Sequence, residues 1–270
     1  MVIGRPDYDG TWLGEKYVPL WNDPKDLERL AYLCQKYGRV AISDRAINAA
    51  TDACRNLISA GEISDYELII VDDASTDSTP RLADELAAAD PHVRVVHHPV
   101  NRKLGGAMKT GFGAATGDLV LYTDADLPFD MAEIGKACRI MRLYESDIVS
   151  AYRHDRTGEG ALREVYTFFY NLLIRRLFGV RMRDINFAFK LCKRNIFEHI
   201  SLVSEGSFID AELIIRAKKL GYEVTQFGVD YFPRTRGVST LSSPRVILKI
   251  VREILALRRE LRSITPVVAR

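Results

Sequence analysis

Cysteine is scarce in this sequence, and its positions follow no regular spacing. The four cysteines include no Cys-x-x-Cys pair; they are Cys34, Cys54, Cys138 and Cys192. This pattern excludes the spacing typical of structural zinc sites and of dense disulfide frameworks. We therefore expect free thiols in a reducing compartment such as the cytoplasm.

Long apolar runs are also missing. No stretch approaches the roughly 18 apolar residues that a membrane-spanning helix needs. Phe168–Ile174 is interrupted by Asn171 and followed by two arginines. Residues 1–10 contain Asp and Pro instead of the apolar segment of a signal peptide. We expect a cytoplasmic protein that does not span a membrane but is able to lie on one.

Charge of one sign is not in large excess. The formal net charge is +2 in 270 residues, too small to favour nucleic acid as a partner. Apolar residues make up 47% and charged residues 27%, which is ordinary for a folded globular protein. The length suits one large domain or a domain with an appendage.

Short apolar runs alternate with helical patterns from residue 66 onward. Strands are predicted at 67–71, 93–97, 118–123, 147–150, 187–192 and 223–229, and helices at 79–90, 104–115, 130–144, 163–179, 209–220 and 244–262. Upstream, residues 39–42 are a strand candidate and residues 46–60 a helix. The alternation predicts an α/β fold: a mostly parallel, Rossmann-like sheet flanked by helices, whose ligands bind at the carboxyl ends of the strands. We divide the chain into an extension (1–38), this domain (39–243) and a C-terminal amphipathic helix with tail (244–270).

Two acidic clusters follow predicted buried strands. Asp124 and Asp126 flank one alanine, so both carboxylates are able to reach one divalent cation in a tight turn. Asp72 and Asp73 follow another strand and are able to accept hydrogen bonds from a ribose or a base. The alternatives are a solvated turn for the first cluster and helix capping for the second.

Residues 101–111 form a glycine-rich, basic helix start. Its candidate ligand-binding residues are Asn101, Gly105, Gly106 and Lys109. Glycines permit close backbone approach, and a helix N-terminus attracts anions. Tight packing through small residues is the alternative. His97 and His98, just upstream, are interpreted as structural rather than catalytic.

Taken in order, these motifs resemble those of family 2 glycosyltransferases with the GT-A fold. The polyprenyl-phosphate branch, which includes the dolichyl-phosphate mannose synthases, is the most similar. The resemblance rests on segments 71–75, 101–111, 122–127, 171–179, 208–213 and 233–239, with Arg163 and Asp184. It covers residues 66 to about 245.

The resemblance implies a role for each matching residue. Asp124 and Asp126 would hold Mg²⁺ or Mn²⁺, and Asp72 and Asp73 the nucleoside of a nucleotide-sugar. The residues that would hold the phosphate of a polyprenyl-phosphate acceptor are Arg163, Arg234, Arg236 and Ser239. Asp210 is the further catalytic candidate. The reaction would invert the anomeric centre in one displacement.

Two other functions stay open from the sequence. With a saccharide or other alcohol as acceptor, Asp210 or Glu212 would act as the base. A non-catalytic sugar-nucleotide-binding protein is the other alternative, because residues 40–45 lack the family's opening motif and Pro128 replaces a frequent metal ligand.

The C-terminal helix is amphipathic and basic. It is able to lie on an anionic membrane surface or to dock on the domain, and segment 163–183 is a second candidate for membrane contact. Because no membrane-spanning segment is expected in the sequence, a membrane-anchoring partner subunit stays open, and nucleic acid is not expected as a partner.

Overall fold

The computed structural model describes residues 40–123, 129–154, 161–231 and 244–267. The chain divides into two compact units, Met1–Ile47 and Asn48–Arg270. Of the first unit only residues 40–47 are described, as the first two turns of a helix that continues into the second unit. All strands of the described chain belong to the second unit.

Helices and strands alternate along the described chain. The helices are α1 (Val40–Ser59), α2 (Thr79–Ala89), α3 (Lys103–Ala114), α4 (Glu133–Leu143), α5 (Ala161–Phe178), α6 (Ile209–Leu220) and α7 (Pro244–Ser263). The strands are β1 (Leu68–Asp72), β2 (Val93–His97), β3 (Leu119–Thr123), β4 (Ile148–Arg153), β5 (Phe189–Lys193) and β6 (Val224–Val229). The alternation predicted from residue 66 onward is confirmed.

The described strands form two sheets. β1 and β2 pair in parallel, with Asp72 opposite His97 at their ends. The second sheet has the order β3-β5-β4-β6, in which β4 and β6 are parallel and β5 runs antiparallel to both neighbours. The α/β fold class is confirmed. The direction of β5 was not predictable, because a short apolar run has the same composition in either direction.

One local prediction is wrong. Residues 40–42 were expected to form a strand, but they are the first turn of α1; Arg39 lies outside the described ranges. A three-residue apolar run fits a strand or a helix equally well. Here the alanine-rich continuation, which includes Ala46, Ala49 and Ala50, favours the helix.

The core lies on both faces of the four-stranded sheet. Successive residues of β4 point to opposite faces, so Ile148 packs with α6 and Val149 packs with α4. One cluster contains α6, the end of α5 and part of α7, and the other contains α4 and the partly buried face of α1. The result is a sheet covered by helices on both faces.

The C-terminal helix α7 is docked on the domain. Ile254 and Leu261 are buried in the core, and Arg216 of α6 donates a 2.6 Å hydrogen bond to Glu260. Of the two alternatives for this helix, docking is therefore observed. None of the helices in the described ranges is both long and apolar enough to cross a membrane.

Glu67, directly before β1, ties the start of β1 to the start of β3. Its Oε1 accepts hydrogen bonds from the Thr116 N–H (2.5 Å), the Thr116 hydroxyl (2.7 Å) and the Gly117 N–H (3.0 Å), and Arg94 donates to Oε2 (2.8 Å). Burial opposes ionisation, but these donors outweigh it and lower the pKa of Glu67 to about 2. A shared anchor favours an arrangement in which the carboxyl ends of β1 and β3 face the same side.

We expect Glu67→Gln to lower the free energy of unfolding at neutral pH by about 2 kcal/mol. The folded-state pKa lies below the usual 4.5, so ionisation stabilises the fold. That contribution is complete above about pH 4.5 and is lost as the pH falls towards 2. Urea denaturation of wild type and variant, at neutral pH and near pH 3, measures the difference.

Glu85→Gln is the control, because Glu85 is an exposed carboxylate on α2. It should change the stability by no more than about 0.5 kcal/mol. A loss in Glu67→Gln that stays constant with pH would show that packing, and not charge, explains the effect.

Candidate active site

Three strands of the larger sheet end at one edge. In the observed register, Thr123 at the end of β3 lies opposite Phe189 at the start of β5, and Arg153 at the end of β4 lies opposite Val229 at the end of β6. The carboxyl ends of β3, β4 and β6 therefore lie together along one edge of the sheet, the edge formed by strand ends, and antiparallel β5 begins there. This is the edge where α/β sheets bind ligands.

Several predicted site residues lie outside the described ranges. Asp124 and Asp126 follow Thr123 directly, and Arg234, Arg236 and Ser239 follow the end of β6. Arg163 belongs to α5, but its side chain is not among those described. The roles inferred for these residues stay predictions. Within the described ranges, no three His, Cys, Asp or Glu side chains group as metal ligands.

Asp72 ends β1, and both of its carboxylate oxygens contact the protein. Oδ1 accepts a 3.1 Å hydrogen bond from the Ser75 N–H, and Oδ2 lies 2.9 Å from His97 Nδ1. Although burial alone would raise its pKa, these donors lower the pKa of Asp72. His97 also contacts Asp84 on α2, and the two carboxylates raise the pKa of His97. Asp72 thus joins β1, β2 and α2.

Asp73 is held by a second histidine. Its Oδ1 lies 2.7 Å from His98 Nδ1 and accepts a 2.7 Å hydrogen bond from the Arg102 N–H. Burial opposes ionisation here too, but these donors lower the pKa of Asp73. Asn101 donates a 3.1 Å hydrogen bond to the Asp73 carbonyl. Asp73 and Asn101, both predicted to bind the donor, are therefore neighbours, and Asp73 keeps 20% of its side chain exposed.

The turn after β1 has an unusual backbone. Ala74, between the two aspartates and Ser75, adopts a left-handed conformation with φ of 58°. This conformation is uncommon for residues with a Cβ and often occurs where the surrounding structure imposes it. The hydrogen bonds of Asp73, just before Ala74, and the bond from the Ser75 N–H, just after it, to Asp72 supply that constraint.

The glycine-rich helix start packs against a loop. A Cβ on Gly105 would lie 2.2 Å from the Ser204 carbonyl oxygen, and the Gly105 N–H donates a 2.8 Å hydrogen bond to the Glu205 carbonyl. Gly106 is similarly crowded by Arg102. Lys109 donates a 3.3 Å hydrogen bond to the Val203 carbonyl. These contacts favour the packing alternative for the glycines, whereas donor binding by this segment stays a prediction.

We expect Gly105→Ala to lower the free energy of unfolding by about 2–3 kcal/mol, because backbone atoms of the facing loop must move. Gly113→Ala is the matched control: it lies on the same helix, and a Cβ there would meet nothing within 4 Å. The control should stabilise the protein by about 0.5–1 kcal/mol, since alanine is the better helix former. Thermal and urea unfolding of both variants measure the contrast, and equal effects would contradict the close packing.

Asp210 begins α6 and forms a buried ion pair. Lys190 of β5 donates a 2.5 Å hydrogen bond to Asp210 Oδ1 and a 2.8 Å hydrogen bond to the Phe187 carbonyl. Lys190 is fully buried, and its Nζ lies 5.8 Å from the ring centroid of Tyr122, near the end of β3. Burial raises the pKa of Tyr170, and the charge of Asp210 adds to this. Asp210 is therefore paired with a lysine near the start of β5, the end of the sheet at which β3, β4 and β6 terminate.

Glu212, two residues later, organises a loop. Its two oxygens accept hydrogen bonds from the N–H groups of Val203 (2.9 Å) and Ser204 (2.7 Å), and Arg216 Nε donates to it at 2.8 Å. The side chain is fully buried. These contacts give Glu212 a structural role in holding the loop, and they disfavour the role of base considered for an alcohol acceptor.

A buried ion pair at the end of β4 was not predicted. Arg153 donates hydrogen bonds to both oxygens of Asp184, at 2.7 and 3.2 Å. Its guanidinium carbon lies 5.5 Å from the Phe187 ring centroid and 5.1 Å from that of Tyr231. This pair fixes the segment before β5 beside the end of β4. A charged residue at the end of an otherwise apolar buried strand was the available signal.

The sequence as a whole matches known proteins. It fits the glycosyl transferase family 2 profile over residues 37–201. It is 34% identical over 174 residues to glycosyltransferase AglD of Haloferax volcanii, covering 63% of this chain and 28% of AglD. It is 28% identical over 230 residues to undecaprenyl-phosphate 4-deoxy-4-formamido-L-arabinose transferase of Yersinia pestis, covering 84% of this chain and 66% of that protein. The chain thus spans less than two thirds of either relative.

Solved structures share the fold. Glucosyl-3-phosphoglycerate synthase from Mycobacterium tuberculosis, in complex with phosphoglyceric acid, superposes with a TM-score of 0.58 at 19% identity, covering 83% of this chain and 77% of that one. The same enzyme with Mn²⁺ and UDP-glucose gives a TM-score of 0.56 at 19% identity, covering 82% and 76%. Because the sequence identity is only 19%, this similarity is evidence for a shared fold alone.

The profile covers more than half of the chain, and the acidic turn after β1 and the strand β3 that leads to the second acidic cluster both lie within it. The resemblance inferred from the motifs is therefore confirmed, and this chain belongs to glycosyl transferase family 2.

Proposed function

We propose that this chain transfers a hexosyl group from a nucleotide-sugar to a polyprenyl phosphate, with inversion at the anomeric carbon and with the help of a divalent metal ion. One observation carries the proposal: β3, β4 and β6 end at the same sheet edge. The segment with Asp124 and Asp126 follows β3, and the segment with Arg234 and Arg236 follows β6. Donor and acceptor groups of the family would thus enter one site.

The donor half would use both acidic clusters. Asp73, partly exposed beside Asn101, would accept hydrogen bonds from the nucleoside, while Asp72 holds the turn in place through Ser75 and His97. Asp124 and Asp126 supply carboxylate oxygens, the ligand type that Mg²⁺ and Mn²⁺ prefer. A bound cation would stabilise the negative charge of the diphosphate leaving group.

The acceptor half would use arginines. Arg163, Arg234 and Arg236 offer planar guanidinium groups that bind phosphate oxygens in pairs, and Ser239 offers a hydroxyl. A phosphate monoester has a second pKa near 6, so it is already an anionic nucleophile at neutral pH and needs no base. This agrees with the neutralisation of Asp210 by Lys190, which leaves Asp210 a positioning role. The name of the Yersinia pestis relative, an undecaprenyl-phosphate transferase, supports this acceptor class.

The same acceptor class supports a place at the cytoplasmic face of a membrane. A polyprenyl phosphate carries its phosphate at the membrane surface, so the enzyme has to approach that surface. A membrane-anchoring partner subunit is compatible with this location.

A transfer assay tests the proposal. Purified full-length protein is incubated with a panel of UDP- and GDP-sugars, a short polyprenyl phosphate and Mg²⁺ or Mn²⁺, and products are identified by mass. We expect a glycolipid from wild type, and a loss of about 100-fold or more in Arg234→Ala, because a charge-assisted phosphate contact would be lost.

A measurement of nucleotide binding distinguishes a defect in the acceptor half of the site from a defect in the donor half. Arg234→Ala should bind the donor nucleotide as wild type does, and Arg81→Ala, which removes an exposed arginine of α2, should retain full transfer. Unchanged transfer in Arg234→Ala would contradict the assigned acceptor site. Donor binding with no glycolipid from wild type would instead favour another acceptor or a non-catalytic role.

A further inference from the structure

A cavity of about 510 Å³ lies between α5, the 181–183 segment and β6. Its wall includes Phe168, Leu172 and Arg175 from α5, Arg181 and Arg183 from the segment, and Gln226 from β6. None of the lining residues belongs to the predicted donor site or acceptor site. The proposed transfer reaction therefore assigns no role to these lining residues.

The wall of this cavity is strongly positive. It contains three arginines, and no Asp or Glu is among the described residues that line it. Arg175 and Arg181 are exposed. Three guanidinium groups around one space repel one another unless an anion lies among them, and guanidinium groups bind phosphate oxygens particularly well.

Arg183 is held in place before any ligand binds. Its Nη1 donates a 2.9 Å hydrogen bond to the Tyr152 hydroxyl, and its guanidinium carbon lies 4.8 Å from the ring centroid of Tyr152. Its N–H donates to Gln226 Oε1 at 3.0 Å, and its carbonyl accepts from Asn171 Nδ2 at 2.7 Å. A side chain fixed in this way loses little conformational entropy on binding.

Apolar side chains are exposed beside the arginines. Phe168 and Phe169 are 64% and 60% exposed and touch each other edge to face, and Leu172 is 41% exposed. Tyr166 and Val165 extend this exposed apolar face along α5. Aromatic and aliphatic side chains next to a basic site are typical of helices that lie in an anionic membrane interface.

We propose that this cavity binds the phosphate headgroup of an anionic phospholipid, while Phe168, Phe169 and Leu172 enter the membrane interface beside it. The charge of the wall selects an anion, and the apolar face selects an anion that belongs to a lipid surface over one free in solution. The inference extends the proposed function by assigning a membrane contact to α5. Its test does not depend on transferase activity.

Vesicle flotation with the full-length protein is the test. Vesicles contain phosphatidylcholine alone or phosphatidylcholine mixed with phosphatidylglycerol. We expect wild type to float with the anionic vesicles only, and Arg175→Gln/Arg181→Gln to bind them roughly 25-fold more weakly, about fivefold per arginine. Arg176→Gln is the matched control, because Arg176 is the exposed neighbour of Arg175 but does not line the cavity, and it should weaken binding by less than about twofold, against about fivefold for each cavity arginine.

Further arms identify the ligand class. Phe168→Ser/Phe169→Ser should also weaken flotation, whereas glycerol 3-phosphate should not raise the melting temperature of wild type at concentrations that saturate the vesicle experiment. Equal flotation of wild type and both double variants would overturn the proposal, because the membrane contact would then lie elsewhere. Stabilisation by glycerol 3-phosphate without any arginine-dependent flotation would also overturn it, and would indicate a site for a soluble phosphate ester.

Discussion

Lys190→Met should lower the free energy of unfolding by about 3–5 kcal/mol, because it leaves the buried carboxylate of Asp210 without its cation. Lys190 is fully buried, and the Lys190–Asp210 contact is 2.5 Å long. Methionine fills a similar volume, so the loss would reflect charge rather than a cavity. Urea denaturation at neutral pH, with circular dichroism as the signal, measures the change.

Two further variants isolate the cause of that loss. Lys193→Met is the matched control, since Lys193 lies on the same strand and pairs with Asp147 but is 36% exposed, and it should cost no more than about 1 kcal/mol. The double variant Lys190→Met/Asp210→Asn removes both buried charges and should recover most of the lost stability. A double variant as unstable as Lys190→Met alone would show that packing or other contacts of Asp210, and not the unpaired charge, dominate.

The double variant also tests the role of Asp210. If Asp210 positions the acceptor, this folded protein should lose transfer while it still binds the donor nucleotide. Retained transfer would make the pair purely structural. If the acceptor were an alcohol and Asp210 the base, wild-type activity would fall along an acidic limb of the pH profile, and the limb would be absent from any residual activity of the variant.

Asp126→Asn should reduce glycosyl transfer by about 1,000-fold or more. A metal ion supplies several kcal/mol of charge stabilisation to the diphosphate leaving group, and each 1.36 kcal/mol corresponds to about tenfold in rate. Asparagine is nearly isosteric, so the fold should be unaffected. Transfer measured by product mass, together with Mn²⁺-dependent nucleotide binding, reports the change.

Asp118→Asn is the control for this experiment. Asp118 is an exposed aspartate directly before β3, whereas Asp126 follows the other end of the same strand. The control should retain full activity. If Asp126→Asn kept wild-type activity and wild-type dependence on the cation, the metal site would have to be sought elsewhere in the chain.

The secondary structure from residue 66 onward was largely predictable, because its signals are local. Leu68–Val71 is a run of apolar residues, Pro80 marks a helix start, and Gly221 ends α6 in a left-handed conformation with φ of 98°. The exceptions were short or ambiguous runs. Residues 40–42 became helical, and β5 took the antiparallel direction.

The polar contacts of the site were not predictable, because they join residues far apart in the sequence. Asp72 and His97 are 25 residues apart, Arg153 and Asp184 are 31, and Lys190 and Asp210 are 20. Periodicity within a window carries no information about which of 38 basic and 36 acidic residues will meet. The sequence singled out Asp72, Asp73 and Asp210, and it marked His97 and His98 as structural. It did not show that these histidines hold the two aspartates or that Lys190 holds Asp210.

By itself, the sequence determined the α/β class, the order of the elements and the family. Hydrophobic periodicity, turn residues and the order of the motifs are local signals along the chain and need no knowledge of tertiary contacts. Only the tertiary structure decided which charges are buried together and which turns are held by histidine. The physical reason is that burial makes an unpaired charge costly, and the cost falls on whichever residues the packing of strands and helices brings into contact. The same packing left the aromatics of α5 exposed beside a cavity that Arg175 of α5 shares with Arg181 and Arg183, a juxtaposition that no local pattern specifies.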